Sequence, residues 1–422
     1  MKKVSVFILI SILTFGLIAC SSSETEGNKS SDGVTNLSFW VPLSGGDGDF
    51  MRELVNQFNE QHEDVNVEIL NLKAEEYYTK IRTSVTSNQA PDIALSHTSK
   101  LAELQSSNMI ESIEETAKTA NVDWSTFSEN IVNGTIINDE HYAIPLDTHA
   151  LIMYVNKSIV EEAGLLDSNG LPTIEPGAEG FLKFLQKVQS NTDSSIFPLS
   201  ATSNGDSPLR VWWTFFSQLG GELLNADGTQ AAFNNDKGLK ALNYINEMVE
   251  QDLWPRNIGN GGELFTAQRA AIHLNGVWMT GALEQNENLD FVAIPIPQLF
   301  DQQATWGDSH VFVLPRQDNQ SEEKKIASLQ FANWIADNSA SWAKAGHVPS
   351  KPSILETAEF NELPYRSDYA EIQDYVTYMP NAPRLNAIND TLKKHLNLFM
   401  NGQATAEETL SNAEKEINDL LK

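Results

Sequence analysis

HYAIPLDTHALIMYVNK, residues 141–157, holds two short apolar runs, YAIPL and ALIMYVN, around the polar triplet Asp147, Thr148 and His149. Pro145 cannot donate to a sheet ladder and restricts the residue before it, so this stretch is not expected to run as one uninterrupted central strand. The chain is expected to change neighbours here. A polar, proline-marked junction between two strands is what a chain needs on leaving one α/β lobe for another, with the junction residues turned toward the cleft between lobes. The same pattern also fits an ordinary surface hairpin, because apolar runs this short are ambiguous.

Outward from that joint, the N-terminus reads as an export signal. Lys2 and Lys3 precede an apolar run, Val4 to Ala19, broken only by single hydroxyl residues and ending at Leu17-Ile18-Ala19-Cys20. The run is shorter than the roughly 20 apolar residues of a transmembrane helix. Residues 1–19 are therefore expected to be a signal peptide. Residues 20–33 contain no apolar side chain after Cys20 and are expected to form a flexible tether. Removing residues 1–19 takes away two lysines and no acids, so Lys+Arg falls from 28 to 26 against 57 acids, and the net charge goes from -29 to -31. No basic cluster longer than a pair occurs, which argues against a nucleic-acid partner. One core rarely supports a body of this length, so two domains are expected.

From Leu37 to Leu95 the pattern is β-α-β-α-β. The strand Leu37–Val41 leads into the glycine-rich loop PLSGGDGD, and Phe50, Leu54 and Phe58 then recur at helical spacing. Ser44, Gly45 and Asp47 of this loop are candidates for polar recognition. The loop lacks the Lys-Ser/Thr ending of a phosphate loop. His97 follows the strand Asp92–Leu95, where open α/β sheets place their ligands, although a plain surface histidine fits as well. Arg210 to Phe216, RVWWTFF, reads as a helix whose Trp212 and Trp213 project about 100° apart, so that one can face a cleft and the other a core. Asn275-Gly276 is expected to turn the chain and present Trp278. Phe291–Pro297 reads as a second crossover strand, and Trp306, Asp308 and His310 cluster at a strand start. Glu322–Ala336 reads as a helix leading to the second lobe, and Thr405 with Glu408 forms a capping box for the last helix.

YAIPLD followed by MYVNKSIVEEAG resembles the extracellular solute-binding proteins of carbohydrate ABC importers (family 1, the group of maltose-binding protein). The motifs Ala90-Pro91-Asp92, Asn275-Gly276-Val277-Trp278, Ala345-Gly346-His347-Val348-Pro349 and Met379-Pro380-Asn381-Ala382-Pro383 follow in the family's order. Two departures stand out: Val277 replaces the usual proline, and the family's Pro-x-Thr-Trp is missing from residues 168–180. The resemblance implies an α/β fold of two periplasmic-binding-protein-like lobes with three hinge crossings, near 145–149, 291–297 and 316–330. Lobe 1 would be 34–146 plus 292–325, and lobe 2 would be 147–291 plus 326–422. Trp40, the loop after Asp92 and the Trp306 cluster would lie on lobe 1, with Arg210, Trp213, Trp278 and Asn389 on lobe 2. The Leu-Ile-Ala-Cys ending resembles a lipobox, which implies lipidation of Cys20 and anchoring to the outer face of the cell membrane. The implied partners are a carbohydrate ligand and the permease subunits of the importer, with the protein a monomer and no cofactor or metal.

Sugars present apolar CH faces and dense hydroxyls, so a sugar cleft needs aromatic planes and hydrogen-bonding amides or carboxylates. Trp40, Trp213, Trp278 and Trp306 with Asp147, Asp308, His310 and Asn389 supply that mixture from separated segments. Arg210, Arg384 and Lys100 can meet a carboxylate on an acidic sugar, or be plain exposed cations. A secreted glycoside hydrolase is the rival, yet no local motif marks an acid and its nucleophile. Gly-x-Ser-x-Gly, His-Glu-x-x-His and a catalytic cysteine are all lacking. A peptide-binding surface lipoprotein of the same fold is the third reading.

Overall fold

The computed structural model describes residues 33–43 and 46–422. The expected signal peptide, Cys20, nearly all of the tether, Ser44 and Gly45 lie outside these residues.

The first half forms as its pattern dictates. Strands β1 (Thr35–Val41), β2 (Val65–Asn71) and β3 (Ile93–His97) are parallel, and the helices Gly46–Gln61 and Ala74–Thr86 connect them. Leu37, Phe39 and Val41 alternate inward and pack on Leu54, Phe58 and Phe331 in the first lobe's core. A short ribbon, β4 (Ile136–Ile137) and β5 (Glu140–His141), precedes β6 (Ile144–Pro145), which sits at the edge of the first sheet. Pro145 is tolerated there because an edge strand can spare a donor.

One residue, Leu146, separates β6 from β7 (Asp147–Asn156), and β7 belongs to a different sheet. All ten residues of β7 are buried. One face, Leu151, Met153 and Val155, packs in the large core with Phe181 and Trp212, while Ala150, Ile152 and Tyr154 pack in another core with Phe265 and Phe291. β8 (Phe197–Ser200) and β9 (Ala270–Gly276) extend this sheet on one side of β7. β10 (Phe291–Ile294) also pairs with it, antiparallel. β11 (Thr305–Asp308) pairs with β7 through Ala150 and His149; one residue later, β12 (His310–Val313) is back in the first sheet between β3 and β6. β13 (Val348–Pro349) pairs with Thr148 and Asp147, and β14 (Val376–Thr377) pairs with β11.

The change of sheet at residues 145–149 is as expected, but the polar triplet is not a wedge between strands: it is the first three residues of β7. The second passage lies at Ser309, not at 291–297. Phe291 and Ala293 alternate inward against β7, and the prolines that follow end that strand without carrying the chain across. Residues 291–308 therefore belong with the second sheet. The third passage also differs from the expected 316–330. The helix Glu322–Asp337 buries Phe331, Ala332 and Ile335 in the first lobe's core, and the chain leaves only between Trp342, in that core, and Val348, in the second lobe. The three passages adjoin one another. The Leu146 N–H donates to the His310 carbonyl at 2.8 Å, and the Ser350 N–H donates to the Leu146 carbonyl at 3.0 Å. Among the described residues, no helix is long and apolar enough to cross a membrane.

Candidate ligand-binding cleft

Because Asp147 and His149 are two apart on one strand, their side chains leave β7 on the same face. The Asp147 carboxylate is fully buried. Its Oδ1 accepts from the His310 backbone N–H at 3.0 Å and faces His149 Nδ1 at 3.2 Å. Its Oδ2 accepts from Trp342 Nε1–H and faces His310 Nδ1, both at 2.7 Å. Burial opposes ionisation of this acid, but His310 and His347 outweigh it and hold Asp147 well below the usual carboxylate range. Burial likewise acts against charge on His310, and the Asp147 carboxylate overcomes it, so His310 titrates above its ordinary value. His149 also faces the Asp147 carboxylate, but there, as at His97, burial outweighs the attraction. Burial, then the charge of His310, pushes His149 down and lowers His97 to about 3. The imidazoles cluster: the His149 and His310 rings are 4.6 Å apart, and His97 stands 4.8 Å from His310.

Above this floor opens a cavity of about 440 Å³, within the range of about 300–1,000 Å³ usual for small-molecule sites. The first lobe supplies Asp47, Tyr78, His97 and Lys100; Asp308 and His310 flank the second passage. The wall on the second lobe is aromatic. Trp278 and Trp306 meet edge to face, centroids 6.3 Å apart, with the Arg210 guanidinium 4.9 Å over one ring and 4.5 Å over the other. The helix Ser207–Gln218 holds this group against β11, because the Trp306 N–H donates to Thr214 Oγ1 at 3.0 Å. Burial lowers the pKa of Arg210, whose partner Asp206 stands 3.6 Å away. Asn386, Asn389, Asp390 and Lys393 recur at spacings of three and four on the helix Leu385–Met400 and line a further wall. Asn389 Oδ1 is buried with no hydrogen-bond partner among the described residues. Lys100 Nζ donates to Asn386 Oδ1, linking the two lobes across the cleft.

The cleft thus gathers Asp47, His97, Arg210, Trp278, Trp306, Asp308, His310 and Asn389 from the sequence-derived candidates. Three others fall elsewhere. Trp40 is half-buried against the cluster of Tyr77, Ile81 and Leu101. Trp213 is 2% exposed in the large core and donates from Nε1 to the Thr377 carbonyl at 2.9 Å. On their helix, Arg210 faces the cleft while Trp212 and Trp213 both face inward. Asp147 lies beneath the floor. Trp306 belongs to the second lobe, because β11 pairs with β7. Asn275 and Gly276 are not a turn but the end of β9, and Trp278 opens in the single helical turn that follows. Asp308 is largely engaged already: it accepts from the Thr98 and Ser99 hydroxyls and from the Ser99 N–H, tying β11 to the start of the helix Thr98–Ser106. The lining also includes Tyr78, Asp206 and Lys393, which the sequence did not single out, and His149 and His347, which it marked only within the polar triplet and a family motif. His149 was legible as the same-face neighbour of Asp147, and the stripe on Leu385–Met400 as polar residues at helical spacing.

Comparison with known proteins bears on the whole chain. The profile of the family described as bacterial extracellular solute-binding protein matches residues 53–367. The maltodextrin-binding protein MdxE of Bacillus subtilis (strain 168) is 20% identical over 444 residues, covering 100% of this chain and 98% of that protein. The structure of the ABC substrate-binding protein Lmo0181 from Listeria monocytogenes, in complex with cycloalternan, superposes with a TM-score of 0.78 at 18% identity, over 92% of this chain and 99% of that one. UgpB from Mycobacterium tuberculosis, in complex with glycerophosphocholine, gives 0.79 at 17% identity over 92% and 98%. The profile match takes in the passages at Leu146 and Ser309 and most strands of the two sheets they join, and the chain belongs to the bacterial extracellular solute-binding protein family.

Proposed function

We propose that this protein captures a sugar or oligosaccharide in the cleft between its lobes and delivers it to the permease subunits of an ABC importer. The observation that carries this reading is the wall of Trp278 and Trp306 set opposite hydrogen-bonding groups from the other lobe, including Tyr78, Lys100 and His97. Aromatic planes accept the CH faces of a sugar ring, and the amides and imidazoles address its hydroxyls. The names of the relatives point the same way, with maltodextrin and cycloalternan among their ligands. Binding needs no reacting group, so the protein acts as a carrier and not as a hydrolase. It works as a monomer on the outer face of the membrane, held by lipid on Cys20 after removal of residues 1–19.

Calorimetry against a panel of neutral and acidic oligosaccharides, with peptides as controls, tests the ligand class. Saturable binding of a saccharide, recovered intact by product analysis, is the expected result. Binding of peptides alone, or cleavage of the saccharide, overturns it. Mass spectrometry of the N-terminal peptide tests the anchor, and an unmodified peptide running through residues 15–25 rules it out.

A further inference from the structure

The floor of the cleft holds a set of side chains whose convergence goes beyond what hydroxyl recognition needs. Asp147, His149, His310 and His347 each turn one donor atom to a common point, with these atoms all within 4.8 Å of one another and all four residues buried. Around the Asp147 carboxylate, the Nδ1 atoms of His149, His310 and His347 stand at 3.2, 2.7 and 3.8 Å. Tetrahedral zinc with bonds of about 2.0 Å needs ligand atoms about 3.3 Å apart, so the closer pairs already match and the widest, within 4.8 Å, must draw in on binding. We propose that Asp147, His149, His310 and His347 bind one zinc-like divalent cation.

Two further observations point to a ligand at this place. His347 is 1% exposed, yet its Nδ1, turned toward Asp147, has no hydrogen-bond partner among the described residues. A buried, unpaired imidazole nitrogen is costly unless something fills its lone pair. The rest of that ring is arranged as metal-binding histidines usually are: Nε2 faces the Asp47 carboxylate at 3.5 Å, and the ring plane stacks on Trp342 at 4.9 Å. Trp342 Nε1–H in turn holds the Asp147 oxygen. On binding, each imidazole offers the Nδ1 lone pair with its proton on Nε2, and for His347 that proton faces Asp47. Three imidazoles and one carboxylate suit zinc, cobalt or nickel better than calcium or magnesium, which take oxygen ligands.

The ligands come from all three passages between the lobes. Asp147 and His149 follow Leu146, His310 follows Ser309, and His347 lies between Trp342 and Val348. A bound ion pins these three segments together at the hinge.

The test uses tag-free protein stripped with a chelator and titrated with zinc chloride, with metal content measured by elemental mass spectrometry and affinity by calorimetry. One equivalent per chain is expected, together with a visible cobalt spectrum of tetrahedral intensity when cobalt replaces zinc. His347→Gln keeps the Asp147–His310–Trp342 hydrogen bonds and should weaken zinc at least tenfold, while His395→Gln, far from the site, should leave it unchanged. Absence of a stoichiometric equivalent, an octahedral cobalt spectrum, or equal zinc affinity in His347→Gln overturns the assignment. The cobalt spectrum of the unaltered protein keeps the test decisive if His347→Gln does not fold. None of these readings involves sugar, so failure of saccharide binding and failure of metal binding are separately visible.

Discussion

Replacing Trp278 by Ala separates a binding platform from a core residue, and the structure sets the expected sizes. The ring is half-buried and is absent from every large apolar cluster of the described residues; its neighbours are Arg210, the edge of Trp306 and His149. Losing one cation–π contact and one edge-to-face contact costs about 1–2 kcal/mol in the unliganded protein, since Arg210 keeps its place over Trp306. Trp213 offers the internal comparison. It is buried among Phe216 and the rest of the second lobe's core, so Trp213→Ala should cost about 3–5 kcal/mol, with a further loss from the unpaired Thr377 carbonyl. For ligand the order reverses. Trp278→Ala should lose about 2 kcal/mol of binding, roughly thirtyfold in Kd, and Trp213→Ala much less where it still folds. Differential scanning calorimetry of both variants without ligand, followed by isothermal titration with the best saccharide, reads the two quantities independently. A Trp278→Ala protein that melts much lower than its parent yet binds sugar normally would refute the assignment of that ring to the cleft.

Other outcomes follow from features elsewhere in the molecule. A Cβ at Gly276 would stand 1.9 Å from the Trp278 ring, so Gly276→Ala should displace the indole and reduce saccharide affinity by a similar factor; unchanged affinity would show that the ring's position is not what ligand reads. His273 is buried beside the Ser200 carbonyl, and burial lowers its pKa from 6.5 to about 4. It is neutral in the folded protein and more readily protonated once unfolded. Its stabilising effect is therefore whole above about pH 6.5 and is lost as the pH falls through about 4, worth about 3 kcal/mol. Denaturant titrations at pH 7 and pH 4 should show His273→Gln losing about that much less than the parent; equal losses would mean His273 is not charged on unfolding. Small-angle scattering should show a smaller radius of gyration in saturating ligand, as contacts to both lobes favour a closed cleft. An unchanged radius would be incompatible with that closure.

The alternating first strands were legible because Leu37, Phe39 and Val41 carry the period of a half-buried sheet and the following helix carries its own. The break at Pro145 was legible for the same kind of local reason. The later passages were not, since Phe291–Ile294 has the composition of any buried strand and nothing in it tells which sheet it joins. Proline ended β10 as local chemistry requires, while the move between sheets fell on Ser309, a residue with no distinguishing chemistry. In the cleft, side-chain type was informative but direction was not. Arg210 and Trp213 are three positions apart on one helix, and only the packing of Trp212 on Phe216 and Trp213 near Thr377 decides that the arginine alone of the three lines the cleft. Histidine convergence was hidden for another reason: His149, His310 and His347 come from three segments far apart in sequence, and only the adjoining passages bring them together.

Leu146 and Ser309 each stand alone between a strand of one sheet and a strand of the other. Side chains along a strand alternate faces with a period of two, so one residue inserted after Leu146 would either loop out or carry Asp147 and His149 to the opposite face of β7. The change of face parts His310 from its carboxylate and leaves the Leu146 to His310 and Ser350 to Leu146 hydrogen bonds without a common register. Substitution at these two positions changes a side chain, whereas insertion or deletion there rewrites the geometry of both lobes at once. Length, more than composition, is the geometric constraint at these links, and loop grafts or fusions in this protein belong in the surface connections of a single lobe.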